Sequence, residues 1–336
     1  MFVGEIGEFG LLERISAVLP KRAAGVIEGI GDDVAVLDVS GPEYLLATCD
    51  IQVEGVHFTR EAITAYQLGR RVAAINVSDI AAKGGDPRWA LVSLALPGDI
   101  EVGWVEELYR GMREETALAG ASVVGGNLSG MKSVVVVDFT LLGAVAPERF
   151  VRRSTARAGD AVLLTGAAGE SRAGLALIRR PDLKLSSSAR RRLTQRHLCP
   201  RPRLAEGRLL ARSGLVTAMM DVSDGVVGDL LHICEASGKG AEIEAARLSI
   251  SPDLARVARA AGADPLEWAL SGGEDYELLF TAAPEDVPVL EKMVLEATGT
   301  ACAQIGVIST GAGVVLRLAD GTRIDPAVKG WDHFGR

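Results

Sequence analysis

Apolar and polar positions along the chain follow two different periods. Residues 44–49 (YLLATC) and 133–145 (SVVVVDFTLLGAV) are dense in β-branched and apolar side chains, which predicts strands. Between them the spacing changes. From Tyr66 to Ala82, Leu68, Val72 and Ile75 recur at helical intervals, and EVGWVEELYRGMREETALAG joins an acidic face to an apolar stripe that stops near Gly120. The first half therefore reads as mixed α and β. At 151–160 (VRRSTARAGD) the chain turns polar and small, and AVLLTG then predicts a new strand feeding the turn GAAGESRAG. This puts a domain boundary there and divides the chain into residues 1–150 and 151–336. Further on, VVGDLLHICEASG predicts a helix that ends at Gly238. The basic stretch SARRRLTQRHLCPRPRL reads as a solvated helix face and its connector, with a phosphate-binding patch as the alternative.

Composition narrows the function classes. With 336 residues, 48% hydrophobic and 24% charged, the chain has ample material for a packed core and suggests two domains. Its net charge of -8, from 44 acidic against 36 basic residues, gives no footprint for nucleic acid or an anionic membrane. Cys49, Cys199, Cys234 and Cys302 form no CxxC pair, so neither a disulfide framework nor a thiolate zinc site is indicated, and a reducing cytoplasm is expected. MFVGEIGEFG has no basic region before an apolar run, and SVVVVDFTLLGAVA is short and interrupted by Asp138, so a soluble, unexported protein is expected.

The candidate chemistry lies in carboxylates that follow apolar runs and precede small residues: Asp32 and Asp33 in GIGDDVAVLD, Asp50 in LLATCD, Asp79 in AINVSDIAA, and Asp221 and Asp224 in TAMMDVSDG. Acids at strand ends beside small residues can converge on one cleft. Asp79 lies eleven positions after Leu68, on the buried side of its helix. It then needs a cation or several hydrogen bonds, unless it pairs with an arginine or the helix ends before it. Asp224 or Ser223 could cap the helix that follows, a role compatible with ligand binding. Asp221 sits on the apolar strand itself and has no such explanation. Hard aspartates without histidine or cysteine clusters favour magnesium over zinc, and magnesium usually arrives with phosphates. No GxxxxGK[ST], strand-linked GxGxxG or HRD/DFG pair is present, so any use of ATP runs through another architecture. His57 in DIQVEGVHF either faces a ligand or is half-buried, and in SGGEDYELLF Glu274 or Asp275 either orients a substrate or forms a polar turn.

These segments, together with GEFGLLERI, VVGGN, RRSTARAGD and the terminal KGWDHF, occur in an order that closely resembles the thiamine-monophosphate kinase family, within the aminoimidazole ribonucleotide synthetase-like ATP-binding enzymes. The resemblance implies a two-domain mixed α/β fold whose N-terminal domain forms a dimeric β-barrel with a second subunit, the C-terminal domain covering the active-site cleft. It also implies γ-phosphoryl transfer from ATP to thiamine monophosphate with several magnesium ions. Carried over, Asp33, Thr48, Cys49, Asp50, Asp79, Asn127, Asp221 and Asp224 fall at metal positions. Gly126, Asn127, Arg153 and Ser223 fall at nucleotide contacts, and His57, Glu274 and Trp331 at thiamine contacts. Four positions depart from the family pattern. Asn127 replaces an aspartate, which keeps an oxygen but removes a charge. Cys49 replaces a hydroxyl residue, Thr155 a glycine, and Lys83 a methionine; Lys83 could partly supply the charge of a lost metal. Two alternatives follow: a relative that phosphorylates another small acceptor, and a weakened copy that binds nucleotide or thiamine phosphates without turnover.

Overall fold

The computed structural model describes residues 2–19 and 23–326. In the first half α1 (Val3–Val18) precedes β1 (Val26–Glu28), β2 (Ala35–Asp38), β3 (Tyr44–Val53), α2 (Ala65–Ala82), β4 (Asp86–Leu96), α3 (Val102–Ala119), β5 (Ser122–Gly130) and β6 (Val136–Val145). These strands form one six-stranded sheet in the order β1-β2-β3-β6-β4-β5. The β4–β5 pair is parallel and the other pairs are antiparallel. The sheet is open in the single chain, with β1 and β5 as its edges.

Alternation along the strands decides which face is covered. Leu46, Val92, Phe139 and Leu141 point inward and meet Leu68, Val72, Leu108 and Met112 from α2 and α3, all fully buried. The helices approach closely because Gly69 faces Gly111's helix: a Cβ on Gly69 would lie 1.9 Å from the Leu108 carbonyl oxygen, and one on Gly111 would lie 2.1 Å from that of Tyr66. The opposite sheet face is open, and Ile51, Trp89 and Leu91 stand 52%, 47% and 42% exposed on it.

The second half runs β7 (Ala161–Thr165), α4 (Glu170–Arg179), α5 (Ser187–Leu198), α6 (Leu204–Ser213), β8 (Val216–Asp221), α7 (Val226–Ser237), β9 (Gly240–Glu244), α8 (Pro252–Ala260), α9 (Pro265–Ser271), β10 (Leu278–Ala282), α10 (Val287–Thr298), β11 (Cys302–Ser309), β12 (Gly313–Arg317) and β13 (Arg323–Ile324). Its seven strands are ordered β13-β12-β9-β11-β7-β10-β8. The halves are not independent bodies, since Leu204 of α6 packs into the first core and Ala82 of α2 into the second.

The basic stretch departs from its reading as a solvated face. Arg192 and Arg196 of α5 pair with the buried carboxylate of Glu170 at 2.6 and 3.3 Å. The buried Arg203 holds Glu277 through two 2.6 Å hydrogen bonds. The arginine fork can satisfy both oxygens of a carboxylate that burial would otherwise leave unpaired. Among the described residues, no helix is long and apolar enough to cross a membrane.

Candidate active site

Three elements bring the acids together. Asp221 ends β8 and is 2% exposed; its carboxylate accepts from the Ser78 hydroxyl of α2 at 2.5 Å. The next residue on α2, Asp79, accepts from the Thr48 hydroxyl of β3 at 2.5 Å. Thus α2 continues past Asp79 to Ala82, and the donor that Asp79 receives is a hydroxyl rather than an arginine. Asp50 lies two residues beyond Thr48, on the same face of β3.

A fourth acid was not singled out from the sequence. Asp229, in the first turn of α7, is 1% exposed; one of its oxygens accepts from the Asp224 backbone N–H at 3.2 Å and the other has no hydrogen-bond partner. Its spacing to Val226 and Leu230 put it on the helix's buried side, the signal that could have found it. The same geometry corrects the capping expectation. Gly225 is the N-cap of α7 without a side-chain cap, and Asp229 reaches back to the loop instead, so neither Ser223 nor Asp224 caps this helix.

Burial and mutual repulsion dominate the electrostatics. Burial, then Asp138, Asp224 and Asp33, push Asp50 up to about 6. Burial, then Asp33, push Asp221 up to about 7. Asp79 and Asp229 are raised well above the usual carboxylate range, first by burial and then by neighbouring aspartates. Asp33 behaves oppositely: burial would raise it, but Lys83 and Arg153 hold it below the usual range. Lys83 lies 2.7 Å from Asp32 and 2.6 Å from Asp33, and Arg153 pairs with the other oxygen of Asp33. Among the described residues, no three His, Cys, Asp or Glu side chains already surround an ion position. The donor set nevertheless fits magnesium, being all hard oxygen, buried and mutually repelling.

A second group gathers at the join between the halves. Arg71 of α2, 1% exposed, donates to Glu274 and to the His197 carbonyl oxygen. The His197 ring lies 3.5 Å from Glu274 and 3.0 Å from the Ser171 hydroxyl. Burial and the Arg71 charge bring His197 down to about 4, so it is neutral near pH 7. Glu274 itself is lowered: burial opposes this, and Arg71, His197 and His57 outweigh it. Its φ of 67° is a left-handed backbone that a non-glycine residue rarely adopts. Asp275 turns away and accepts from the backbone N–H groups of Gly169 and Ser171, at the start of α4. Of the two acids in SGGEDYELLF, Glu274 is therefore the one available for orienting a substrate. Arg71 was missed in the sequence, although it lies three residues after Leu68 on the same buried stripe.

The other expected residues divide between the surroundings of Glu274 and the sheet. His57 is half-buried and accepts from the Val53 N–H through Nδ1 at 3.0 Å. Ser223 adjoins Glu274, whose N–H donates to the Ser223 carbonyl oxygen at 2.7 Å. Cys49 is exposed and alternates to the open sheet face. Asn127 pairs with Ser93, which pairs with Asp138, which pairs with Ile51, so this row also lies on the open face. Gly126 is level with Asp50 but three strand spacings away, about 14 Å along the sheet. A Cβ on Gly126 would lie 1.9 Å from the Val92 carbonyl oxygen, a close-packing reason for glycine there. The single chain therefore does not bring Gly126 and Asn127 to the acids. Trp331 lies outside the described residues.

Comparison with known proteins gives consistent matches across the chain. Residues 31–145 match the N-terminal domain of AIR synthase related protein, and residues 157–319 match its C-terminal domain. A thiamine-monophosphate kinase of Aquifex aeolicus (strain VF5) is 38% identical over 336 residues, covering 99% of this chain and 100% of that protein. One of Escherichia coli (strain K12) is 34% identical over 332 residues, covering 98% of each. A solved structure described as AaThiL complexed with AMPPCP and TMP has a TM-score of 0.85 at 36% identity and covers 99% of both chains.

Proposed function

The chain belongs to the AIR synthase related family, in its thiamine-monophosphate kinase branch, and on that premise we propose that it transfers the γ-phosphoryl group of ATP to the phosphate of thiamine monophosphate. The product is thiamine diphosphate. The observation that carries this reading is the buried cluster of Asp50, Asp79 and Asp221, made of oxygen donors alone and crowded by like charge.

The acceptor oxygen belongs to a phosphate monoester whose second pKa is roughly 6, so it is already largely ionised near neutral pH and needs no general base. The obstacle is the meeting of two polyanions. Thr48, Asp50, Asp79, Asp221, Asp224 and the Cys49 carbonyl would hold magnesium, with Asp33 joining them only when Arg153 leaves it for the nucleotide, and the ion would supply the neutralising charge that lets the two polyanions align. The chain's own task is placement. Arg153 and Ser223, with Gly126 and Asn127, hold the nucleotide. His57, Glu274 and Trp331 hold the thiamine end, and Glu274 is oriented for it by Arg71.

The position of Asn127 and Gly126 supports a homodimer as the working form. Asn127 lies on the open face that exposes Ile51, Trp89 and Leu91, with Gly126 next to it on the edge strand β5, and a second copy covering that face would close the sheet into a barrel and bring one subunit's β5 to the other's acids. A cytoplasmic setting fits the free cysteines. The deciding experiment is an assay of thiamine diphosphate formed from ATP and thiamine monophosphate at saturating magnesium. No product overturns the assignment, and faster turnover of another small acceptor in competition replaces the substrate.

A further inference from the structure

Lys83 is the C-cap residue of α2 and is fully buried. Its ammonium lies 2.7 Å from Asp32 Oδ1 and 2.6 Å from Asp33 Oδ2, and it donates to the Met219 carbonyl oxygen of β8 at 3.3 Å. Arg153 takes Asp33 Oδ1 and donates to the Gly31 carbonyl oxygen at 2.7 Å. Two carboxylates thus face two cations on this side of the site. On the other side the donors are neutral: the Thr48 hydroxyl to Asp79, the Ser78 hydroxyl to Asp221 and the Asp224 N–H to Asp229. Among the described residues, no basic side chain comes within ion-pair distance of Asp50, Asp79, Asp221 or Asp229, and one oxygen of Asp229 has no hydrogen-bond partner.

We propose that Lys83 is a resident cation of the phosphoryl-transfer site, supplying between Asp32 and Asp33 the charge that a divalent ion would otherwise bring, so that divalent ions enter the resting protein only through the Asp50, Asp79 and Asp221 side. This rests on the magnesium-site reading above. Lys83 has nowhere to withdraw, because its stem is buried and its ammonium is tied to both halves of the chain. Arg153 differs. It stands on the segment between β6 and β7, keeps 12% of its side chain exposed and pairs with one carboxylate oxygen, an arrangement from which it can turn to a phosphate. A lysine charge is covalently present at every ionic composition, whereas a bound divalent ion depends on its free concentration. The Asp32 and Asp33 side is consequently preassembled without metal, and the other side is assembled by it.

The test counts ions rather than turnover. Mn2+ bound per full-length chain would be titrated by electron paramagnetic resonance, without nucleotide, and melting would be followed in chelator and in Mg2+. Lys83→Met is expected to bind one Mn2+ more than the wild type, to melt about 5–10 °C lower in chelator, and to recover in millimolar Mg2+. Lys83→Arg is expected to keep the wild-type count. A wild-type count in Lys83→Met, or a melting deficit that Mg2+ leaves untouched, overturns the proposal. Should Lys83→Met give no folded protein, Asp33→Asn decides: it leaves the Mn2+ count unchanged while Asp50→Asn and Asp221→Asn lower it, and an ion lost with Asp33→Asn overturns the proposal. A wild-type chain that binds no Mn2+ overturns the magnesium-site reading as well, whereas ions held through Asp50 and Asp221 with none gained in Lys83→Met overturn the resident cation alone.

Discussion

At the end of β8, the Asp221 carboxyl receives one neutral donor, Ser78, while Asp33 and Asp50 repel it. Removing that charge should therefore act in opposite directions on chemistry and on stability. Asp221→Asn is expected to lower kcat roughly 10²–10⁴-fold through loss of a metal ligand, yet to raise the melting temperature of the metal-free protein near pH 8; steady-state kinetics and calorimetry read the two. The pH dependence has a definite sign. Asp50 and Asp221 titrate at about 6 and about 7 in the folded chain, against about 4 when unfolded. The folded state thus binds more protons between about pH 4 and 7, and stability in chelator falls as pH rises through that window. Melting curves should show Mg2+ stabilising more at pH 8 than at pH 5, and equal stabilisation at both would count against the acids as the binding groups. Asp50, Asp79 and Asp221 were legible, because each interrupts an apolar run at a place where solvent cannot account for it, whereas Asp229 was not. Nor were the partners of these acids. Nothing local to Lys83 says that it meets Asp32 and Asp33 some fifty residues earlier, since charge pairing over that separation is decided by the sheet and helix that lie between.

Helix α2 carries Arg71, Ser78 and Asp79 to three different partners, and Lys83 closes its end, so its seat on α3 sets the geometry of the whole site. Gly69→Ala tests that seat. The new Cβ would meet the Leu108 carbonyl oxygen at 1.9 Å, forcing the helices apart at a cost of about 2–4 kcal/mol. Denaturant unfolding should show the loss, and Mg2+ affinity should fall with it because Asp79 moves relative to Thr48. The helix itself was legible from Leu68, Val72 and Ile75, since a repeating spacing is a property of the segment alone. The start of α7 and the basic run of α5 were misread for the converse reason. Asp224 has the composition of a cap, but the loop at 222–223 is held by backbone pairing to residues 274–276, Gly225 takes the N-cap position, and Asp229 reaches back from the first turn to the Asp224 N–H. Arg192, Arg196 and Arg203 look solvated until α4 and β10 bring Glu170 and Glu277 beside them.

For the whole molecule, the decisive feature is the sheet's second face. A single chain leaves Ile51, Trp89 and Leu91 in water and Asn127 across the sheet from the acids. Leu91→Asp is expected to shift sedimentation from dimer to monomer and to reduce turnover at least tenfold, while a melting temperature close to wild type in the monomer would show that each chain folds by itself. The two-domain α/β organisation was readable from periodicity, but periodicity carries no sign for or against a second copy, because alternating strands look alike whether their outer face meets water or another sheet. The outer edge of β5 adds one more consequence. Among the described residues this nine-residue strand, SVVGGNLSG, pairs with β4 alone, and it carries no proline and no charged side chain to discourage a stranger from pairing with it. If the proposed pair covers this edge, a separated chain is a template for aggregation, and dilution would work against the protein twice: it would favour dissociation and bare an adhesive margin.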